Sequence, residues 1–213
     1  MLRSFIAALA LSLAGLAGAA QAADTPPDVL ARTTTQEVLA VLKQDRDIRN
    51  GDMSRVYQLV EAKILPNFDF NRMTQLAVGK NWPRASAQQK QALVAEFRNL
   101  LVRTYSASLT AFSNQTVEFK PFTMKPGDDD VVVRTEIRQP GGQPIPIDYN
   151  MYKTAFGWKV YDVSIDSVSL VTNYRASFAS TVRQNGIDGL IKTLADQSAR
   201  AATSGKPAAR PGS

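Results

Sequence analysis

Hydrophobic residues recur at helical spacing through the first half of the chain. They predict four helices, over residues 35–50, 52–66, 69–79 and 86–112. Ser86 and Gln89 have the spacing of a capping box, which marks the start of the longest helix. Asp52 and Asp69 each precede an apolar segment, as N-cap residues do. Residues 24–34, which contain two consecutive prolines, are predicted to be a flexible lead-in.

The middle of the chain changes to strand spacing. Apolar and polar residues alternate along four segments, at 117–119, 128–139, 145–153 and 157–165. In the last segment, Tyr161, Val163 and Ile165 are predicted on the buried face, with Asp162 and Ser164 opposite. This alternation predicts a four-stranded antiparallel sheet with one face buried.

Helical spacing returns after the sheet, over residues 170–184 and again after Gly186. Helices, then a four-strand meander, then helices indicate an α+β fold. We expect about six helices to cover one face of a twisted sheet, with an apolar pocket between the two layers.

The two ends of the chain are predicted to lie outside the folded domain. Residues 1–22 contain Arg3, an apolar stretch and a small-x-small ending at Ala22, as in a cleaved secretory signal peptide. Residues 24–202 are expected to form a single domain, and residues 203–213 a disordered tail. The chain has no cysteine, which fits export to a bacterial periplasm without disulfides. The mature protein is therefore expected to be soluble and periplasmic.

The charge of the chain is positive but scattered. The net charge is +6, and removing the signal peptide with Arg3 lowers it to +5. A nucleic-acid-binding protein usually has a basic stripe with interleaved aromatic residues, which this chain lacks. We expect no nucleic-acid partner and only weak attraction to anionic lipids or acidic patches.

The sequence contains no histidine, and this narrows the possible chemistry. Histidine-dependent nucleophilic catalysis and the usual zinc sites are excluded, and no phosphate-binding glycine motif occurs. No catalytic residue, metal site or cofactor is predicted. An enzyme with a buried carboxylate as general base stays open as an alternative, with Asp148, Asp162 and Asp166 as the candidates. An adaptor that acts through surface cations is a second alternative, with Lys80, Arg84, Lys153 and Lys159 as the candidates.

Two long segments resemble the MlaC family of periplasmic phospholipid-binding proteins. They are "ILPNFDFNRMTQLAVGKNWPRASAQQKQALVAEFRNLLVRTYSASL" at 64–109 and "FGWKVYDVSIDSVSLVTNYRASFASTVRQNGIDGLIKTL" at 156–194. The resemblance implies an NTF2-like α+β fold whose pocket holds the acyl chains of a glycerophospholipid as cargo. It also implies a monomer that docks transiently with two membrane complexes. These are an inner-membrane ABC transporter with MCE-domain subunits and an outer-membrane lipoprotein–porin complex, which together maintain outer-membrane lipid asymmetry.

Seventeen residues are expected to line such a pocket. The sheet would supply the floor, with Tyr149, Met151, Tyr161, Val163 and Ile165. The segment after the sheet would supply a wall, with Val168, Leu170, Val171, Tyr174 and Phe178. The earlier helices would supply a lid, with Met73, Leu76, Ala77, Trp82, Phe97, Leu101 and Tyr105.

Overall fold

Six α-helices account for most of the part of the chain that the computed structural model describes, residues 25–112 and 114–204. They are α1 (Pro27–Gln44), α2 (Arg46–Arg49), α3 (Met53–Leu59), α4 (Phe70–Val78), α5 (Ala87–Thr110) and α6 (Leu170–Ser204). A π-helical turn (Val60–Ile64) and two 3₁₀ segments (Leu65–Asn67 and Gly79–Arg84) connect them. The backbone of α6 is interrupted at Gly186, as its sequence predicts. The predicted signal peptide and the chain after Ser204 lie outside the described residues, and α6 extends two residues into the predicted tail.

The predicted helix caps are present. Asp52 accepts hydrogen bonds from two backbone amides at the start of α3, and Asp69 accepts one at the start of α4. Ser86 and Gln89 form the reciprocal capping box of α5. These local interactions satisfy amides that have no partner inside the helix, and so fix where each helix begins.

The first helix begins earlier than predicted. Residues 24–34 were expected to be a flexible lead-in, and this was wrong, because α1 starts at Pro27. Proline is tolerated at the first position of a helix, where its missing N–H is not needed. Leu30 and Ala31 then pack against the main core.

The sheet has five antiparallel strands rather than the four predicted. They are β1 (Thr116–Phe119), β2 (Asp130–Arg138), β3 (Ile145–Thr154), β4 (Gly157–Ile165) and β5 (Val168–Ser169), paired in chain order. The additional strand β5 has only two residues, too few to show an alternating pattern. A tight turn at Asp166 and Ser167, both with positive φ, joins it to β4.

A β-bulge in β4 reverses the predicted position of Tyr161. Asn150 pairs with Asp162 but Met151 pairs with Val160, so Tyr161 is the extra residue. A bulge breaks the period of two, and side chains on either side of it lose their simple alternation. Tyr161 therefore points to the outer face of the sheet, where its hydroxyl donates to Asp130 at 2.8 Å. The prediction that it lies on the pocket floor was wrong.

The apolar interior consists of two cores. The larger lies between the sheet and α4, α5 and α6, where the Phe97 ring meets the rings of Tyr174 and Phe178 edge-on at 5.1 Å. The smaller joins α1, α2 and α3, around Val56 and Leu42. None of the helices in the described part of the chain combines the length and apolar character needed to cross a membrane.

Candidate functional site

An apolar cavity of about 210 Å³, here named the first lobe, lies between the inner face of the sheet and α5. Ile147, Tyr149, Val163 and Ile165 form its floor on β3 and β4. Its remaining walls come from α4, from α5, from Leu170, and from the chain between Val60 and Phe70. Nearly every group that faces this space is a hydrocarbon, so water gains few hydrogen bonds there and an apolar ligand is favoured.

A second lobe of about 200 Å³ adjoins the first under α1. The two lobes share four wall residues, which are Ile64, Phe68, Leu109 and Tyr149. The second lobe also contacts Met151 and Val160 on the sheet and Val38 and Leu42 on α1. The two lobes therefore lie side by side along the inner face of the sheet.

The polar groups inside the first lobe are held neutral. Burial raises the pKa of the Tyr149 phenol, which shares a hydrogen bond with Thr135. Burial also raises the pKa of the Tyr105 phenol, and neighbouring Tyr174 adds to that shift. Both phenols therefore stay protonated at neutral pH and bring no charge into the cavity.

Eight of the predicted site residues line one or both lobes. They are Met73, Leu101, Tyr105, Tyr149, Met151, Val163, Ile165 and Leu170. Other lining residues were not predicted, notably the run Val60, Ile64 and Leu65 and the α5 residue Ser106. The apolar spacing at 52–66 pointed to a helix there, but it gave no sign of which face would line a cavity.

The other nine predicted site residues line neither lobe. Ala77, Phe97, Val171, Tyr174 and Phe178 pack into the solid core. Val168 is half-buried in β5, and Tyr161 lies on the outer face. Leu76 and Trp82 line a separate surface groove between α4 and α6. Helical spacing predicted correctly that Ala77, Phe97 and Phe178 face inward, but it does not distinguish a packed interior from a cavity wall.

On the outer face of the sheet, Tyr161 takes part in a cluster of polar and aromatic contacts. The Arg72 guanidinium lies over the rings of Tyr152 and Tyr161, at 3.9 and 4.1 Å from their centres. It also pairs with Asp130 at 3.2 Å, while Tyr152 donates to Asp69. These contacts tie the start of α4 to three strands and so hold one wall of the first lobe in place.

The three candidate carboxylates lie outside the lobes. Asp162 is buried, but it accepts from the Ser169 hydroxyl at 2.6 Å and from the Val171 amide at 3.1 Å. Asp148 faces Arg134 on the outer side of the sheet at 3.9 Å, and Asp166 lies exposed in the β4–β5 turn. Asp162 therefore anchors the start of α6 to β4, and none of the three is placed to act on a molecule in the cavity. Among the described residues, no group of carboxylates could hold a metal ion.

The structure is an α+β domain with two adjoining apolar cavities, and none of the described residues that line them is charged. This arrangement is typical of proteins that bind apolar ligands. The chain belongs to the MlaC family, because the family model for MlaC protein matches residues 32–196. Two similar proteins are the toluene tolerance protein ttg2D of Pseudomonas putida and the intermembrane phospholipid transport system binding protein MlaC of Haemophilus influenzae. The first is 26% identical over 174 residues, covering 81% of this chain and 80% of that protein. The second is 25% identical over 176 residues, covering 81% and 82%.

A solved structure has the same fold. It is the phospholipid-binding protein from Ralstonia solanacearum in complex with a phospholipid, with a TM-score of 0.78 and 39% sequence identity. The match covers 83% of this chain and 98% of that chain. The comparison confirms the predicted α+β fold and the resemblance to the MlaC family.

Proposed function

We propose that this protein is a periplasmic carrier that binds the acyl chains of a phospholipid in the two lobes and moves the lipid between membranes. The observation that carries the proposal is the pair of adjoining lobes, whose shared wall is apolar and whose floor is the inner face of the sheet. Family membership and the phospholipid in the similar Ralstonia solanacearum protein support it.

The energetics of such a carrier depend on apolar contact. Moving two long acyl chains from a bilayer into water costs on the order of 20 kcal/mol of free energy, at about 0.8 kcal/mol per methylene. A carrier has to return most of this free energy through its own walls, without binding so tightly that the lipid cannot be released. Uncharged walls meet this requirement, because they imitate the bilayer interior and make no strong polar bond to the cargo.

The size of the lobes implies that loading widens them. A methylene needs roughly the volume of one water molecule, about 30 Å³, so each lobe has room for roughly seven methylenes. Long acyl chains need more space than this. The π-helical turn Val60–Ile64 lines the first lobe, and such turns are irregular and occur often at functional sites. We infer that this segment moves outward when the tails enter.

The route of the carrier forms part of the same proposal. Sec-dependent export with cleavage near Ala22 would release the domain into the periplasm. Its docking partners would be an outer-membrane lipoprotein–porin complex and an inner-membrane ABC transporter with MCE-domain subunits. A monomer without cofactor or catalytic step is sufficient for this role, because lipid exchange makes and breaks no covalent bond.

A vesicle assay tests the proposal. Donor vesicles carry a phospholipid with a fluorescent headgroup and a quencher lipid, and acceptor vesicles carry neither. We expect purified mature protein to accelerate the rise in fluorescence, because the carrier takes the labelled lipid away from the quencher. A transfer rate equal to that without protein would contradict the proposal, and boiled protein serves as the control.

A further inference from the structure

A groove of about 570 Å³ opens on the surface between the end of α4, the 3₁₀ segment Gly79–Arg84 and α6. Its apolar part is formed by Leu76, Val78, Trp82, Pro83 and Ala179. Lys80 and Arg175 line the same groove, and both are exposed. The groove is separate from both lobes, because none of its residues lines either of them.

The guanidinium of Arg175 is held in position at this groove. Its Nε donates to the backbone oxygen of Leu76 at 3.0 Å, across 99 residues of sequence. Gly79 ends α4 with φ 58° and ψ −129°, a conformation that favours glycine and leaves the last carbonyls of the helix open to this contact. An oriented guanidinium can bind a carboxylate with less loss of side-chain entropy than a free one.

Among the described residues, the cations around Trp82 have no acidic partner in an ion pair. Within residues 25–112 and 114–204, no carboxylate forms an ion pair with Lys80, Arg84, Lys90 or Arg175. By contrast, Arg98 pairs with Glu61 at 2.8 Å. The Lys90 ammonium lies 5.6 Å from the centre of the Trp82 ring, on a second shallow groove that Trp82 also lines. The surface therefore combines apolar contact area with uncompensated positive charge.

We propose that this groove is a docking site for an acidic segment of a partner protein. Carboxylates of the segment would lie on Lys80 and Arg175, and an apolar side chain between them would contact Leu76 and Trp82. A symmetric contact between two copies of this groove does not fit, because like charges would face each other. A flat membrane surface does not fit either, because the apolar residues line a concavity, whereas membrane-binding side chains project outward.

The position of α4 gives this docking site a connection to the cargo. Met73 lines the first lobe, and Leu76, one turn later on the same helix, lines the groove. A docked segment would thus contact the same helix that forms part of the cavity wall.

The test uses two defined peptides and ¹⁵N-labelled full-length mature protein. The acidic peptide is acetyl-EDFED-amide, and its uncharged counterpart is acetyl-QNFQN-amide. The chain has two tryptophans, so Trp82→Phe identifies the Trp82 indole resonance in the NMR spectrum. We expect saturable shifts of this resonance with the acidic peptide, weakened about tenfold or more by Lys80→Glu and by Arg175→Glu. Lys43→Glu on α1 is the control for net charge, and its binding should equal that of the wild type.

Three results would overturn the proposal. These are no shift at Trp82 with the acidic peptide, equal binding of the uncharged peptide, and equal weakening by Lys43→Glu. Vesicles of phosphatidylethanolamine and phosphatidylglycerol are tested in parallel, and shifts at Trp82 with vesicles alone would assign the groove to a membrane instead.

Phospholipid content is measured on each variant. Unchanged content together with lost peptide binding separates docking from cargo binding, so this proposal and the carrier proposal can fail independently.

Discussion

Filling the first lobe with a side chain should strongly weaken cargo binding and leave the fold intact. Ser106 on α5 is buried and faces this lobe of about 210 Å³. Ser106→Phe would place a phenyl ring there, and a cavity of about 150 Å³ is enough to hold benzene. The ring would therefore occupy most of the space that this lobe offers to a tail before it widens.

The expected loss can be worked out from volume. A ring that takes about 150 Å³ displaces roughly five methylenes of tail, at about 30 Å³ each. At about 0.8 kcal/mol per methylene this amounts to about 4 kcal/mol, or roughly a thousandfold in affinity. Folding stability should change little, because the apolar burial gained by the ring offsets the cost of local overpacking.

The assay is the phospholipid-to-protein ratio after purification without detergent, together with urea unfolding of the same samples. Ser106→Ala keeps the lobe empty and is the matched control, with wild-type lipid content expected. Val163→Phe fills the same lobe from the sheet and serves if Ser106→Phe does not fold. A folded Ser106→Phe or Val163→Phe protein that carries the wild-type amount of phospholipid would refute the assignment of this lobe to cargo.

Three further predictions concern stability. Ser167→Gly should stabilise the protein by about 0.5 kcal/mol, measured by urea unfolding. Ser167 has φ 66°, and only glycine adopts that region without strain. A destabilised variant would mean that the serine side chain supports the turn. Asp162→Ala should lower the free energy of unfolding by about 3 kcal/mol, because the Ser169 hydroxyl and the Val171 amide lose a buried charged acceptor. Asp162→Asn should cost less. Equal stability of Asp162→Ala and wild type would contradict the anchoring role. Burial and the hydrogen bond to Asp130 raise the pKa of Tyr161 to about 12, above its ordinary value near 10. The contribution of Tyr161 to stability should therefore be constant up to about pH 10 and be lost between pH 10 and 12, so total stability should fall less steeply there in Tyr161→Phe. An identical fall in that variant would show that Tyr161 does not titrate in this range.

Local signals in the sequence placed most of the helices and strands. The capping box at Ser86 and Gln89 and the N-caps Asp52 and Asp69 act over three residues, so their effect can be predicted without the tertiary structure. The alternation in β2 and β3 likewise follows from burial of one face. The start of α1 at Pro27 was missed because its first turn is stabilised by packing of Leu30 on the main core, a long-range contact.

The cavity was harder to predict than the fold, for a physical reason. Phe97 and Leu101 are both large apolar residues one turn apart on α5, yet Phe97 packs in the core and Leu101 lines the first lobe. A periodic pattern reports which side of an element faces inward, and it does not report whether another atom fills the space opposite. Tyr161 was misplaced because a single extra residue in β4 reverses the face, and no glycine within three residues of Tyr161 marks a bulge.

The central claim is that a phospholipid occupies the two lobes, and mass spectrometry tests it most directly. The protein is purified from a periplasmic fraction without detergent, extracted with organic solvent, and its lipids are quantified against protein. The account predicts near-stoichiometric phospholipid with mixed headgroups, because the walls that we describe contact tails and carry no charge. A folded, stable protein free of lipid would contradict it.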